Sequence, residues 1–165
     1  MGILNLFIIK KKTNILYSDK IGKRRKIMKK ILIAHDGSKS SEKALKNAFE
    51  IAEKFGSSVT VISVVPELYL TELMEVDRIR ILETLTEEAK KIMDRIRTKT
   101  IGSKPLKTIV KQGDPATEVL EAAKKMKADL IVTGSHGRHG AQKFLLGSVS
   151  SKIIDNSPCA VLVVK

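Results

Sequence analysis

The sequence predicts an α/β fold: an open parallel sheet with helices on both faces. Three observations carry that expectation. Short apolar runs of strand length alternate with longer segments whose apolar residues recur at helical spacing. The alternation closes on a strand, and right-handed helical crossovers between consecutive strands make them parallel and bury them between two helix layers. A glycine-rich segment joins one of the apolar runs to a helix start, an arrangement at home at the carboxyl end of a parallel strand.

Taken in order, the first strand is the Ile-Leu-Ile-Ala run of residues 30–34, which ends at His35-Asp36-Gly37-Ser38. Ser38 or Ser40 can cap the helix that follows, whose buried face is Ala44, Ala48, Ile51, Ala52 and Phe55 and whose end is Gly56. The β-branched residues 58–65 form the second strand, halted by Pro66. A long helical region spans about residues 70–100, with a stripe of Leu82, Leu85, Ala89, Ile92 and Ile96; residues 68–81 are less regular, and residues 102–105 break the helix. Residues 106–112 form a third strand, placed toward an edge by its interrupting lysines. Asp114 and Pro115 then cap and open a helix with Val119, Leu120 and Ala123 inward. The fourth strand is residues 128–133. A fourth helix begins after Gly147, with Ser148 as its cap and Val149, Ile153 and Ile154 behind, and residues 160–164 form the last strand.

Composition narrows the class. A chain of 165 residues, 42% hydrophobic, builds one core without metal or disulfide support. The single cysteine, Cys159, lies in a buried strand and rules out a disulfide framework, so a reduced, cytoplasmic setting is expected. The net charge of +13 invites a nucleic-acid reading, but residues 1–27 hold eight Lys or Arg against one Asp and so carry about half of the excess. With four Phe, two Tyr and no Trp, the chain is poorly equipped to stack bases.

Chemistry concentrates in residues 133–150. Gly134, Gly137, Gly140 and Gly147 lie between a strand and a helix N-terminus. Glycine admits close backbone approach, and the unpaired amides of a first helical turn carry partial positive charge, so phosphate is the natural guest. The spacing Gly134-x2-Gly137-x9-Gly147-Ser148 matches neither the Gly-x4-Gly-Lys-Ser/Thr loop nor the Gly-x-Gly-x2-Gly loop.

This signature resembles that of the universal stress protein family, in the branch that binds ATP. Met28-Lys-Lys-Ile-Leu-Ile-Ala-His-Asp-Gly-Ser38 resembles the family's opening strand and acidic turn, and Ser157-Pro-Cys-Ala-Val-Leu-Val-Val164 its closing strand. The resemblance thus covers residues 28–165 as one nucleotide-binding domain. It implies a Rossmann-like five-stranded sheet of order 3-2-1-4-5, whose reversal between strands 1 and 4 opens a crevice where Asp36 and Gly134 meet.

In that crevice the resemblance implies ATP, with Mg²⁺, as the ligand. Thr133, Gly134, Gly137, Gly147, Ser148, Val149 and Ser150 would form the phosphate cradle. Asp36, with Gly37 and Ser38, would accept from ribose hydroxyls or hold a phosphate-bound metal. The backbone of Val64 would meet adenine. Arg138, His136, His139 and Lys143 read equally well as phosphate partners and as exposed loop charges. His35 reads as a base or as a packed, hydrogen-bonded histidine. No catalytic residue is assigned, because neither paired carboxylates, a triad nor a metal-ligand cluster stands in the sequence. The expected function is an ATP-binding stress-response or signalling module. A slow ATPase or nucleotidyl-transfer enzyme, and a nucleic-acid or membrane binder acting through the basic arm, are the alternatives.

Two expectations concern surfaces. Ala160-Val-Leu-Val-Val164 is a sheet edge without charge, proline or bulge, so a homodimer through that strand is expected, together with an unknown protein partner. Residues 1–27 form a basic extension outside the domain. Their apolar residues 2–9 are too few to span a bilayer and precede the positive charge, unlike a secretory signal. A misplaced translation start is the favoured reading, and a flexible basic arm touching RNA or anionic lipid, or a short surface anchor, stand beside it.

Overall fold

The computed structural model describes residues 28–67, 75–98, 106–137 and 146–165, together with the strand Leu6–Ile9. Its elements are β1 (Leu6–Ile9), β2 (Lys30–Ala34), α1 (Lys39–Phe55), β3 (Ser58–Pro66), α2 (Glu75–Arg97), β4 (Lys107–Gly113), α3 (Pro115–Met126), β5 (Leu130–Gly134), α4 (Ser148–Asn156) and β6 (Ala160–Val164). The five strands expected from the sequence are all parallel and lie in the order β4-β3-β2-β5-β6, which is the expected 3-2-1-4-5. The sequence reading leaves residues 1–27 outside the domain and β6 at an open edge. In the structure β1 pairs antiparallel with β6 and makes a sixth strand.

Period-two alternation sorts the strand side chains onto two helix layers. Ile31, Ile33, Val59, Val61, Leu130, Val132 and Leu162 face Ala44, Leu45, Ala48 and Ala52 of α1 and Met93 and Ile96 of α2. Leu32, Ile62, Ile131, Val161 and Val163 face Ala116, Val119 and Ala123 of α3 and Ile153 of α4. Cys159 is buried in this second layer. β4 is indeed at the sheet edge, and its lysines are exposed. Helix α2 is two-sided as expected, although Met93, which the apolar stripe omits, is among its most buried residues.

The helix ends follow their local chemistry. Ser38 caps α1 by accepting from the Ser41 amide, and Gly56, in the left-handed region at φ 63°, ends it with Ser57 N–H donating to Ala52 O. Asp114 caps α3, accepting from the Thr117 amide at 2.9 Å and from Lys152 Nζ at 2.8 Å. Helix α3 ends in the same left-handed way, but on Lys127 at φ 53°, where a side chain is strained. Helix α4 departs from expectation. Gly147, not Ser148, is its cap residue, and Ser148 is the first helical residue, because the chain is still extended at Gly147 (φ −63°, ψ 151°).

Replacing Lys127→Gly should raise unfolding stability by about 0.5–1 kcal/mol, read from the urea midpoint at unchanged m-value. The Asp114 carboxyl, lowered by its hydrogen bonds from Lys152 and then from Thr117, sits at about 2 against an ordinary 3.8. Its folded value lies below its unfolded one, so its contribution is present above pH 4 to 5 and lost as pH falls toward about 2. Asp114→Ala should cost about 1 kcal/mol at neutral pH, and the cost should shrink across that acid window, as followed by urea unfolding at stepped pH.

Candidate functional site

The site lies where the strand order reverses. Strand β2 stands between β3 and β5, pairing Ala34 with Ile62 on one side and with Thr133 on the other. Beyond Ala34 the chain turns through Asp36-Gly37 into α1, and beyond Gly134 it leaves β5 toward α4, so two helix N-termini converge on the crevice between β2 and β5.

The glycines in this crevice have different duties. Gly134 is buried at the end of β5 against the start of α1. A Cβ there would stand 2.4 Å from Ser40 Oγ and 2.8 Å from both the Ser40 carbonyl carbon and the Ser41 nitrogen. It is the absence of a side chain that lets strand and helix touch. Gly137 faces the acidic turn, with the position of a Cβ 3.1 Å from Asp36 Oδ2. Gly147 closes the loop on itself: its N–H donates to Ser135 O at 2.8 Å, where a Cβ would meet the same oxygen at 3.2 Å. Gly37 turns the chain at φ 82°, which a side chain rarely allows.

Serines tie these pieces together. The hydroxyls of Ser38 and Ser40 both donate to the His136 carbonyl, the former at 3.3 Å, which fastens the glycine loop to the start of α1. Ser150, buried in the first turn of α4, donates to Gly134 O at 2.7 Å. Ser135 N–H donates to Val164 O at 2.8 Å, continuing the β5–β6 pairing one step past Gly134. Sequence reasoning missed the roles of Ser40 and Ser135. The run of serines at 38, 40 and 41 carries a helix-cap signal and nothing that points to a loop 96 residues away.

The acidic turn is held in an ionised state. Burial pushes the Asp36 carboxyl up, but hydrogen bonds from the Ser38 hydroxyl and amide and from Ser41 hold it below the ordinary carboxylate value. Ser38 N–H reaches Asp36 Oδ1 at 3.0 Å. His35 itself is 3% exposed. Its Nδ1 accepts from Gly37 N–H at 3.2 Å, so its Nε2 is the protonated nitrogen, 3.2 Å from Glu42 Oε1. This is a histidine that braces the turn from within, the second of the two readings given to it.

Val64 is placed by the pairing pattern. His35 N–H donates to Ile62 O, so the backbone groups of Ile62 point to the β2 side of β3. Two residues later those of Val64 point the same way, past the residue at which β2 has ended. The backbone of Val64 thus borders the crevice while its side chain packs half-buried on the second core layer. Thr133 pairs with Ala34 and is buried, its hydroxyl directed to Gly134 O. Ser148 is exposed and Val149 half-buried at the start of α4, whose first turn receives no side-chain cap from the described residues. His136 accepts or donates at Nδ1 with Ser135 Oγ at 2.8 Å, while its Nε2 is buried with no hydrogen-bond partner among the described residues. Arg138, His139 and Lys143 lie outside the described residues. Among the described residues no group of three metal-ligating side chains comes together, and no helix is long and apolar enough to cross a membrane.

These features define a doubly wound α/β domain with a switch-point crevice lined by an acidic turn, a glycine-containing loop and a helix N-terminus without a side-chain cap. A family model for the universal stress protein family matches residues 28–165, and the chain belongs to that family. It is 40% identical over 142 residues to universal stress protein MJ0531 of Methanocaldococcus jannaschii, covering 84% of this chain and 83% of that protein. It is 35% identical over 147 residues to universal stress protein YxiE of Bacillus subtilis, covering 82% and 98%. Among solved structures, universal stress protein UspA from Lactobacillus plantarum superposes with a TM-score of 0.79 at 27% identity, over 86% of this chain and all of that one. The same fold is found in a universal stress protein in complex with cAMP (TM-score 0.59, 23% identity, 85% and 99% covered). It is found again in one from Archaeoglobus fulgidus in complex with dAMP (0.54, 22%, 85% and 100%).

Gly134→Ala should cost about 1–3 kcal/mol of stability, because the added methyl meets backbone atoms of α1 that cannot step aside. Urea unfolding measures this directly, and a change within 0.3 kcal/mol would contradict the close approach.

Proposed function

We propose that this universal stress protein is an ATP-binding stress-response module, its nucleotide seated in the crevice between β2 and β5. One observation carries the reading most directly: the first turn of α4 lies beside Gly137, itself against Asp36, and no side chain among the described residues caps its amides. Such a turn attracts phosphate through both its N–H groups and its dipole. The Nε2 of His136 beside it, buried with no partner among the described residues, supplies a second polar group that a bound ligand would satisfy.

On this reading Ser148, Val149 and Ser150 present first-turn amides to the phosphates, and the Ser148 hydroxyl, exposed at the same turn, adds a contact. Gly137 keeps the space next to Asp36 open. The ionised Asp36 carboxylate accepts from ribose hydroxyls, or binds a Mg²⁺ ion carried by the phosphates. The backbone of Val64, pointing past the end of β2, lies where an adenine edge would be read. The adenine nucleotides bound by the two universal stress proteins described above agree with this choice of base. Bound Mg²⁺ would supply charge neutralisation between the carboxylate and the phosphates.

The test is release of nucleotide from the purified full chain, followed by titration of the emptied protein with ATP. Stoichiometric ATP in the heat-denatured supernatant is expected. Gly137→Val, which crowds a side chain against Asp36 without touching backbone, should abolish binding while leaving the unfolding midpoint close to wild type. Ser148→Ala and Asp36→Ala should each weaken ATP by about 10-fold or more, the worth of a hydrogen bond to a charged group. ADP in the supernatant in place of ATP would favour the slow hydrolase. A protein that neither carries nor binds ATP would overturn the reading.

A further inference from the structure

We propose that β1 is an intramolecular cap on the β6 edge, and that it competes with a second copy of this chain for that edge. The full chain is then held as a monomer, and displacement of β1 releases the surface for dimerisation. The strand register carries the argument. Leu6, Phe7, Ile8 and Ile9 stand opposite Val164, Val163, Leu162 and Val161, so β1 covers all of the five-residue β6 except Ala160. The pairing is antiparallel, although every other pairing in the sheet is parallel.

That direction has a consequence. When two copies of one strand pair across a two-fold axis perpendicular to the sheet, they must run antiparallel. A partner's β6 would therefore approach this β6 in the same orientation as β1 does and use the same outward row of N–H and C=O groups. The two cannot be present together. The expected homodimer through Ala160–Val164 thus becomes conditional on the removal of β1.

Composition makes β6 an edge that needs such a cover. Ala-Val-Leu-Val-Val carries no charge or proline, the devices that ordinarily keep an edge from pairing. β1, Leu-Phe-Ile-Ile, is equally apolar in sequence. Tethering favours it. Twenty residues, 10–29, separate the end of β1 from the start of β2. A tether of that length gives an effective concentration on the order of millimolar, roughly a thousand times a micromolar concentration of second copies. The eight basic residues that follow Ile9 within residues 1–27 give the segment a handle on which an anionic surface could pull.

The experiment uses the full chain and the double variant Phe7→Pro/Ile8→Pro. Consecutive strand residues direct their N–H groups to opposite sides, so one of the two prolines removes a donor from the β1–β6 ladder. Sedimentation velocity across 1–100 μM should show a wild-type monomer and a variant dimer, both with native circular dichroism. Hydrogen exchange on the wild type gives an independent reading. Protection of the β6 amides should be the same at 1 and 100 μM, because the covering strand belongs to the same molecule. A wild-type dimer, a variant that remains a folded monomer, or β6 protection that grows with concentration would each overturn the proposal. Should the variant fail to fold, the exchange measurement on the wild type decides alone.

Discussion

The contact between the end of β5 and the first turn of α1 is the constraint on which the crevice depends. Gly134 brings the two backbones to a distance that no side chain permits. Given that approach, the Ser38 and Ser40 hydroxyls reach the His136 carbonyl, Gly137 comes to lie against Asp36, and Ser150 closes on Gly134 O from the other side. Separating the strand from the helix by one methyl group disturbs all of these together. A glycine that would be read from its spacing as a ligand contact therefore has a prior duty in packing.

The two helix N-termini that meet here are finished differently, and the difference is functional in its physics. Helix α1 satisfies its own first turn with Ser38, while α4 begins at a glycine and spends its nearest buried hydroxyl, Ser150, on the β5 carbonyl instead. One terminus is closed by its own serine, and the other begins at a glycine that has no side chain to cap it. Opposite it, Asp36 is kept ionised by donors from its own turn and braced from below by the buried ring of His35. The crevice thus sets a fixed negative charge against a fixed positive dipole end, which suits a ligand with phosphates at one end and hydroxyls at the other.

The architecture was largely legible because local signals agreed with one another. Apolar runs, period-3.6 stripes, Gly56 and the Asp114-Pro115 pair each mark the element they are found to bound. The edge position of β4 could be read from its lysines. What was not legible depended on contacts distant in sequence. Nothing near Ser40 foretells His136, and a capping serine and a loop-anchoring serine look alike in sequence. Ser148 looked like a cap because serine ordinarily is one; that the chain stays extended through Gly147 is decided by the Gly147–Ser135 hydrogen bond. Leu6–Ile9 were read as part of an apolar run and not as a strand for a related reason. Four apolar residues before a basic stretch carry no partner information, since strand pairing between residues 6 and 164 is a property of the whole sheet.

That pairing joins almost the first residues of the chain to almost the last. During synthesis at roughly 5–20 residues per second, Leu6 is made on the order of ten seconds before Val164. The β2–β3–β4 half of the sheet can assemble in that interval, but β1 has its partner only once β6 has left the ribosome. Its docking therefore follows the making of every other strand it shares the sheet with. A chain cut short anywhere before β6 lacks the strand against which Leu6–Ile9 are paired.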